Sequence, residues 1–535
     1  MPTQTLNRAL PALLLALTSL LPTTAFAQRA LPQSSPSRPL PGASLRTLLG
    51  QRTVSPAATP VQLRTSPATV AWIQRVSIPL QGQAGPGGLT GPGAPGFTGL
   101  LYRIFVPATG YDELFSLHVP AASPGVARPM LVGFHGFGTS HLDLYFNARE
   151  LMDEAAARGW FFLAPFQANP ATSSPAAGAL RDPSFSFASA ESQVHVEALI
   201  DFVLSQWSVD VDRIYGIGFS MGGGNALSFA ARHRDRDRGA FAAVVNHTGT
   251  VSVSDVWTNN PPTAVCNPGA TNPVRSKMHL TFGGLPPSFE YQRSSLIDLD
   301  PAGQLLPGGR HMAVNLAGVP VQSHHHAQDS LTYLVDQTIA FHGFLSTVTG
   351  ASSSLLVGTA SACPSSTCGI PNEHCWDTLD LAGACSWLAS QRLDAAPLQG
   401  DLLADRDGRW GSIEVELETA GQFGALRYAF TTQPSGSATV ELLDRENLQR
   451  LEVDGVAYGL DLSAGITVRT SSVDGLPTTL VLDGITTAPF SVLRNGVPVT
   501  APCAGAAGPG WCYDAVAQEV RLIEPSASLE VWELN

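Results

Sequence analysis

Ser220 stands in the sequence Gly218-Phe219-Ser220-Met221-Gly222, a G-x-S-x-G pattern typical of a serine nucleophile. In a chain with 51 glycines this pattern arises by chance roughly 0.4 times, so its surroundings must support it. The apolar run 213–218 predicts a strand, and the glycines from Gly222 open a predicted helix over 222–233. A strand, a tight turn and a helix expose a serine hydroxyl at the carboxyl edge of a sheet.

A second motif, His135-Gly136-Phe137-Gly138, follows a predicted buried strand over 130–134. A turn of this kind can direct backbone N–H groups at the nucleophile. Acyl transfer needs two such donors to stabilise the tetrahedral oxyanion. We assign them to the amides of Phe137 and of Met221, the residue after Ser220. The alternative is a plain turn at the end of a strand.

The stretch 209–215, Val-Asp-Val-Asp-Arg-Ile-Tyr, leads into Gly-Phe-Ser-Met-Gly-Gly. Together they resemble secreted carboxylesterases of the polyhydroxybutyrate-depolymerase and feruloyl-esterase type. They also resemble the dienelactone-hydrolase and carboxylesterase/thioesterase branch of the same superfamily. The resemblance covers about residues 99–346. It implies an α/β-hydrolase fold, no cofactor, and ester hydrolysis through an acyl-enzyme.

The base that activates Ser220 is expected to be a histidine, and the resemblance implies a position after the last strand and before the last helix. We interpret 313–319 as that strand and Gln328 as the start of the helix. Between them lie His324, His325 and His326. We favour His324, because it leaves the usual short loop before the helix, with His326 as the second candidate. A metal patch is the alternative for this triple, but we predict no metal site.

The acid that orients the histidine is harder to place. The resemblance implies an aspartate a few residues after a predicted strand over 278–282, but that turn contains Pro286 and Pro287. Glu290 is the nearest carboxylate, and we assign it as the orienting acid. Three further carboxylates remain open alternatives: Asp298, Asp300 and Asp255.

The order of predicted elements indicates the fold. Two strands, 100–106 and 113–119, form a pair, and strands then alternate with helices, including one over 142–158. This predicts an α/β class protein, an α/β-hydrolase with a mostly parallel sheet flanked by helices, followed by a C-terminal all-β module. The predicted domains are a signal peptide (1–27), a Pro/Ser-rich linker (28–75), the catalytic domain (76–349), a Cys-containing linker region (350–400) and a β-rich accessory domain (401–535).

The N-terminus predicts export. Arg8 precedes an apolar run over 9–21, and Ala25-Phe26-Ala27 is a cleavage site, so we expect a secreted or periplasmic protein. The seven cysteines agree with disulfide bonding outside the cytoplasm. The neighbours in sequence are Cys363/Cys368, Cys375/Cys385 and Cys503/Cys512, with Cys266 left over, but the sequence does not fix the connectivity.

Composition narrows the function classes. Charged residues make up 14% of the chain and the net charge is -13, which argues against nucleic acid as a partner. After the signal sequence no stretch is long and apolar enough for stable membrane insertion. We therefore expect a serine hydrolase of carboxylic esters, acting on a polymeric ester or an acylated polysaccharide. The alternatives are a peptidase on the same fold and a non-catalytic surface or binding protein with a degenerate hydrolase domain.

Overall fold

The structure is a computed structural model. It describes residues 73–76, 99–120, 125–146, 148–167, 186–260, 273–360, 363, 366–367, 370–371, 373–393, 397–433, 436–500, 510–524 and 528–535. The predicted signal peptide, nearly all of the predicted linker, and Cys266, Cys368 and Cys503 lie outside these residues. Within the described part, no helix is long and apolar enough to span a membrane.

The N-terminal domain is built on a nine-stranded sheet with the order β1-β2-β3-β5-β4-β6-β7-β8-β9. The first four strands in that order pair antiparallel, and all pairs from β5 to β9 are parallel. Its central strands are buried on both faces, which explains their continuous apolar runs. The strands are β1 (Ile73–Val76), β2 (Gly99–Val106), β3 (Tyr111–His118), β4 (Arg128–Phe134), β5 (Phe161–Pro165), β6 (Val209–Phe219), β7 (Ala243–His247), β8 (Pro320–His326) and β9 (Ser352–Gly358).

Helices cover this sheet, and several differ from the sequence-based expectation. The predicted single helix over 142–158 is two helices, and the predicted strand over 278–282 is the end of helix α6. That strand prediction was wrong because a short apolar run does not distinguish a strand from a helix. The helices are α1 (Asp143–Phe146), α2 (Arg149–Ala157), α3 (Ala190–Gln206), α4 (Met221–Arg232), α5 (Val253–Asn259), α6 (Pro273–Phe282), α7 (Phe289–Arg293), α8 (Thr332–Leu345) and α9 (Leu381–Ala389).

The end of the sheet also lies further along the chain than predicted. The predicted strand over 313–319 is instead a 3₁₀ turn, Met312–Leu316, and β8 and β9 follow it. The segment after β9 packs on the same domain, since Trp376 and Cys385 belong to the core between the sheet and α2. The predicted boundary at 349 therefore falls before the last strand of the sheet.

The C-terminal region is the predicted all-β module. Two sheets share one core, in which Val440 and Trp532 of one sheet and Leu451 and Leu522 of the other are fully buried. Buried and more exposed residues alternate along these strands, so each sheet packs one of its faces against the shared core. The first sheet has the order β12-β15-β16-β18-β24-β20-β21 and the second β13-β14-β17-β19-β23-β22.

The strands of this module are β12 (Gln399–Ala404), β13 (Gly408–Trp410), β14 (Ile413–Leu417), β15 (Gly424–Thr432), β16 (Ala438–Glu446), β17 (Leu448–Asp454), β18 (Ile466–Ser472), β19 (Thr478–Asp483), β20 (Val492–Arg494), β21 (Val497–Pro498), β22 (Gly510–Asp514), β23 (Glu519–Glu524) and β24 (Glu530–Leu534). A two-stranded ribbon, β10 (Ser366–Thr367) and β11 (Ile370–Pro371), lies between β9 and α9 along the chain.

The two domains are joined by buried polar contacts. Asp405 pairs with Arg232 at 3.1 Å and with Arg293 at 2.8 Å. Asn315 and Leu403 exchange two hydrogen bonds: the side-chain amide donates to the Leu403 carbonyl at 2.7 Å, and the Leu403 N–H donates back at 2.9 Å. The β module is therefore fixed to the N-terminal domain at a buried interface.

One disulfide, Cys363–Cys375, lies among the described residues. The sequence left the connectivity open, and the structure joins Cys363 to Cys375 rather than to a nearest neighbour in sequence, while Cys385 is a buried free thiol. Cys512 is also disulfide-bonded, but Cys503 lies outside the described residues.

Candidate active site

Ser220 occupies a strained turn between β6 and α4. Its backbone has φ 56° and ψ -124°, a conformation that L-residues other than glycine rarely adopt. Backbone hydrogen bonds hold it there, including one from Gly224 N–H to the Ser220 carbonyl at 3.4 Å. The Ser220 N–H donates to the His247 carbonyl at 2.8 Å, and its own carbonyl accepts from Gly223 at 3.0 Å and Thr250 at 3.2 Å. Strain maintained by surrounding structure is typical of functional positions.

The glycines of the motif are required by close backbone packing. A Cβ on Gly218 would lie 2.1 Å from the Gly222 carbonyl oxygen, and a Cβ on Gly222 would lie 2.2 Å from that of Phe134. Neither contact can be relieved by moving a side chain. The G-x-S-x-G spacing thus allows α4 to begin directly against the ends of β4 and β6.

The predicted oxyanion residues lie at the same edge of the sheet. A Cβ on Gly136 would be 3.3 Å from the Phe219 ring, so the turn containing Phe137 lies beside the residue that precedes Ser220. Met221 is the first residue of α4, where backbone N–H groups have no partner within the helix. These positions suit the two predicted donors, whose role remains a prediction.

Buried hydrogen bonds stabilise the loops at this edge of the sheet. The two carboxylate oxygens of Glu113, on β3, accept from the Gln167 N–H at 2.7 Å and contact His195 Nδ1 at 3.0 Å. Asn225 of α4 donates to Gln167 and, at 2.8 Å, to the Ser186 hydroxyl. The loops beside the nucleophile are thereby tied to α4 and to β3.

The three consecutive histidines lie inside β8, so their predicted position on a loop was wrong. Strand geometry points His324 and His326 to one face and His325 to the other, which prevents all three from converging on one metal ion. Nε2 of His324 contacts the Gln322 side chain at 3.0 Å, and Nε2 of His326 contacts the Ala360 carbonyl at 3.1 Å. Burial lowers the pKa of His324 to about 4.

The carboxylate assigned as the acid lies elsewhere. Glu290 is on α7, 43% exposed, and pairs with Arg293 at 3.4 Å. Asp298 accepts from the Arg310 N–H at 2.8 Å, Asp300 accepts from the N–H of Ala302 at 2.8 Å, and Asp255 accepts from the Gln337 amide at 2.7 Å. Among the residues that the structure describes, none of these four carboxylates pairs with a histidine side chain.

The structure instead brings together Asp329 and His374. Oδ2 of Asp329 lies 2.8 Å from Nδ1 of His374, and the two side chains are 1% and 7% exposed. The second oxygen of Asp329 accepts from the Leu331 N–H at 2.8 Å, which fixes the carboxylate. The His374 ring packs on Phe219 with 4.5 Å between ring centres, so this pair lies beside the residue that precedes Ser220.

Sequence reasoning missed both residues because it ended the sheet too early. Asp329 follows β8 by three residues, and His374 follows β9. With 313–319 interpreted as the last strand, the histidines of β8 took the place of the loop after it. Two signals were available in the sequence: the short apolar run 355–357, and the fact that His374 is the last of the 13 histidines.

Another buried histidine borders the site. The ring of His247, at the end of β7, packs on Phe219 with 5.1 Å between ring centres and contacts the Thr378 hydroxyl at 2.8 Å. Burial and the neighbouring histidines hold its pKa well below the usual value, so it is neutral near pH 7. Among all described residues, no group of three His, Cys, Asp or Glu side chains is suited to hold a metal ion.

Comparison with known proteins agrees with the sheet order. Residues 129–265 match a family model described as alpha/beta hydrolase fold. No curated protein matches the chain. Similar solved structures include an S-formylglutathione hydrolase from Agrobacterium tumefaciens, with 14% identity, a TM-score of 0.37, and coverage of 56% of this chain and 97% of that one.

Two further solved structures are similar. One is a ferulic acid esterase with 16% identity and a TM-score of 0.36, covering 55% of this chain and 97% of that one. The other is an acetyl xylan esterase from Paenibacillus sp. R4 with 16% identity and a TM-score of 0.34, covering 54% and 82%. From the match to the family model and from the order of its strands, the domain that carries Ser220 has the α/β-hydrolase fold.

Proposed function

We propose that this protein is a serine hydrolase that cleaves carboxylic esters through an acyl-enzyme. The observation that supports this best is the buried Asp329–His374 pair, packed on Phe219 beside the strained turn of Ser220. A nucleophile, a base and an orienting carboxylate are the three parts that acyl transfer by serine requires.

In this mechanism His374 replaces the histidines of β8 as the base, and Asp329 replaces Glu290 as the acid. Nδ1 of His374 is held by Asp329, so Nε2 takes the proton from the Ser220 hydroxyl as it attacks the ester carbonyl. The amides of Phe137 and Met221 stabilise the oxyanion. The protonated imidazole then gives its proton to the leaving alcohol, and the same base activates water to release the acid.

The substrate that we propose is a polymeric or surface-bound ester, such as a polyester or an acylated polysaccharide. A predicted export signal, a disulfide and an attached β module support an enzyme that works outside the cytoplasm on large substrates. A panel of short acyl esters, feruloyl esters and polyhydroxybutyrate film would rank these classes, and peptide substrates would reveal a peptidase.

The deciding experiment is Ser220→Ala in the full chain. We expect it to abolish both hydrolysis of p-nitrophenyl esters and labelling by a fluorophosphonate probe. Ser390→Ala, at the exposed end of α9, is the matched control and should label like the unaltered protein. Labelling that persists in Ser220→Ala would refute the nucleophile. An unaltered protein that neither labels nor turns over any ester or peptide would favour a non-catalytic binding protein.

A further inference from the structure

His374 is carried by a segment that must return over the site after the sheet has ended. It follows Gly358, the last residue of β9, by 16 positions. Such a segment has considerable conformational freedom unless other contacts restrain it. A disulfide lies in this segment and joins Cys363 to Cys375, the residue next to His374. It is the only disulfide whose two cysteines both belong to the described residues.

Contacts on the other side of His374 show how its position is defined. The Trp376 side chain is 3% exposed, packs on Phe219 with 5.4 Å between ring centres, and donates its indole N–H to Asp143 at 3.3 Å. Downstream of His374 the chain is thus fixed by burial. On the upstream side, the Cys363–Cys375 disulfide closes a loop that contains His374, with a sequence separation of 12 between the two cysteines. Across this loop, the Glu373 carboxylate accepts a hydrogen bond from the Cys363 N–H at 3.2 Å.

We propose that the Cys363–Cys375 disulfide is a positioning device for His374, and that its reduction reversibly lowers turnover. This inference rests on the function proposed above. A dithiol transfers two electrons and two protons: the S–S bond breaks, two protein thiols form, and the dithiol becomes a cyclic disulfide. Reduction frees the backbone on the upstream side of His374 while the nucleophile and both predicted oxyanion donors, on other elements, remain in place.

The expected signature separates positioning from general damage. A base displaced by about 1 Å can lower a rate by about 10²-fold, so we expect kcat to fall by roughly 10- to 100-fold on reduction. KM should stay within about twofold, because Phe137 and Met221 are not attached to this loop. The rate of fluorophosphonate labelling should fall in parallel with kcat, since it also depends on deprotonation of Ser220.

The experiment compares full-length protein before and after dithiothreitol with the double variant Cys363→Ser/Cys375→Ser. We expect the reduced protein and the double variant to share the low kcat, and oxidation to restore only the former. Cys385→Ala, which removes the buried free thiol, is the matched control and should respond to dithiothreitol like the unaltered protein. Near-UV circular dichroism of the reduced protein monitors the fold, so the result does not depend on the double variant folding.

Two results would overturn the inference. One is a double variant with the kcat of the oxidised protein. The other is an equal loss of activity on reduction in the double variant and the unaltered protein, which would assign the effect to a different disulfide such as that of Cys512. An oxidised protein that shows no Ser220-dependent labelling would instead refute the proposed function.

Discussion

Oδ2 of Asp329 lies 2.8 Å from Nδ1 of His374, although 45 positions separate them in the sequence. Both side chains are almost completely buried. In the proposed mechanism, this aspartate fixes the tautomer and orientation of the His374 ring and stabilises the imidazolium that forms when Ser220 loses its proton.

Replacing Asp329 by asparagine should therefore lower kcat by about 10³- to 10⁴-fold, because the amide favours the wrong tautomer of His374. Steady-state kinetics on a p-nitrophenyl ester would measure the change. Asp300→Asn, on an exposed turn, is the control and should keep normal turnover. A small effect in Asp329→Asn together with a large one in Glu290→Gln would reinstate Glu290 as the acid.

Gly222→Ala should prevent normal packing of α4. Its new Cβ would lie 2.2 Å from a backbone oxygen, and relieving this contact requires the helix to move. We expect a loss of at least about 3 kcal/mol in the free energy of unfolding, measured by urea denaturation. Gly343→Ala on α8, where the new Cβ meets nothing within 4 Å, should instead stabilise the protein by roughly 0.5–1 kcal/mol. Equal effects of the two variants would contradict this packing argument.

Asp405→Asn should destabilise the whole chain. It removes the charge that compensates Arg232, which is 1% exposed, and Arg293, which is 14% exposed. Breaking a buried ion pair on one side typically costs about 3–5 kcal/mol. The control is Glu446→Gln, whose partner Arg310 is 36% exposed, and there we expect a loss below about 1 kcal/mol. Thermal unfolding of the two variants measures the contrast, and a small loss for Asp405→Asn would disprove it.

Stability should fall as the solution becomes acidic. Burial lowers the pKa of His324 to about 4 in the folded protein, against about 6.5 when unfolded. Between these values the unfolded chain binds more protons at this residue, so the contribution of His324 to the free energy of unfolding falls from pH 6.5 to pH 4 and levels off below. This one residue accounts for about 3 kcal/mol of that loss, at about 1.4 kcal/mol for each pH unit.

The test is the slope of unfolding free energy against pH. His118 and His233 have the same pKa of about 4, so the unaltered protein should show a steep slope. His324→Gln should reduce that slope by about 1.4 kcal/mol per pH unit, which corresponds to one proton, whatever its effect on stability at pH 7. An unchanged slope would mean that His324 titrates normally in the folded protein.

The sequence predicted the fold and the turn of Ser220 because both depend on local patterns. Buried parallel strands are continuous apolar runs, and the glycines around Ser220 are imposed by backbone contacts only a few residues apart. The same reasoning failed for α6 and for the turn at 312–316, where short apolar runs carry no period. These two misassigned strands, 278–282 and 313–319, were the reference points for the predicted acid and the predicted base respectively, so both assignments were placed by a wrong count of strands.

Contacts between distant segments could not be derived in this way. Nothing near Asp329 in the sequence indicates His374, and the spacing of the cysteines did not fix the connectivity that the structure shows as Cys363–Cys375. The accessory domain was likewise predicted as separate because the helical pattern fades after about Gly350 and short predicted strands follow. The buried pairing of Asp405 with two arginines of the hydrolase domain shows how incomplete that separation is.

The junction between the two domains has a consequence for how the protein can be divided. Leu403, within β12, and Phe423, just before β15, belong to the same apolar core as Phe229 and Leu316 of the hydrolase domain. Cutting the chain near residue 397 would expose that core to solvent. It would also leave Arg232 and Arg293 without the carboxylate of Asp405. The domain that carries Ser220 is therefore not an independently folding unit, and calorimetry of the intact chain should show both domains unfolding in one cooperative transition.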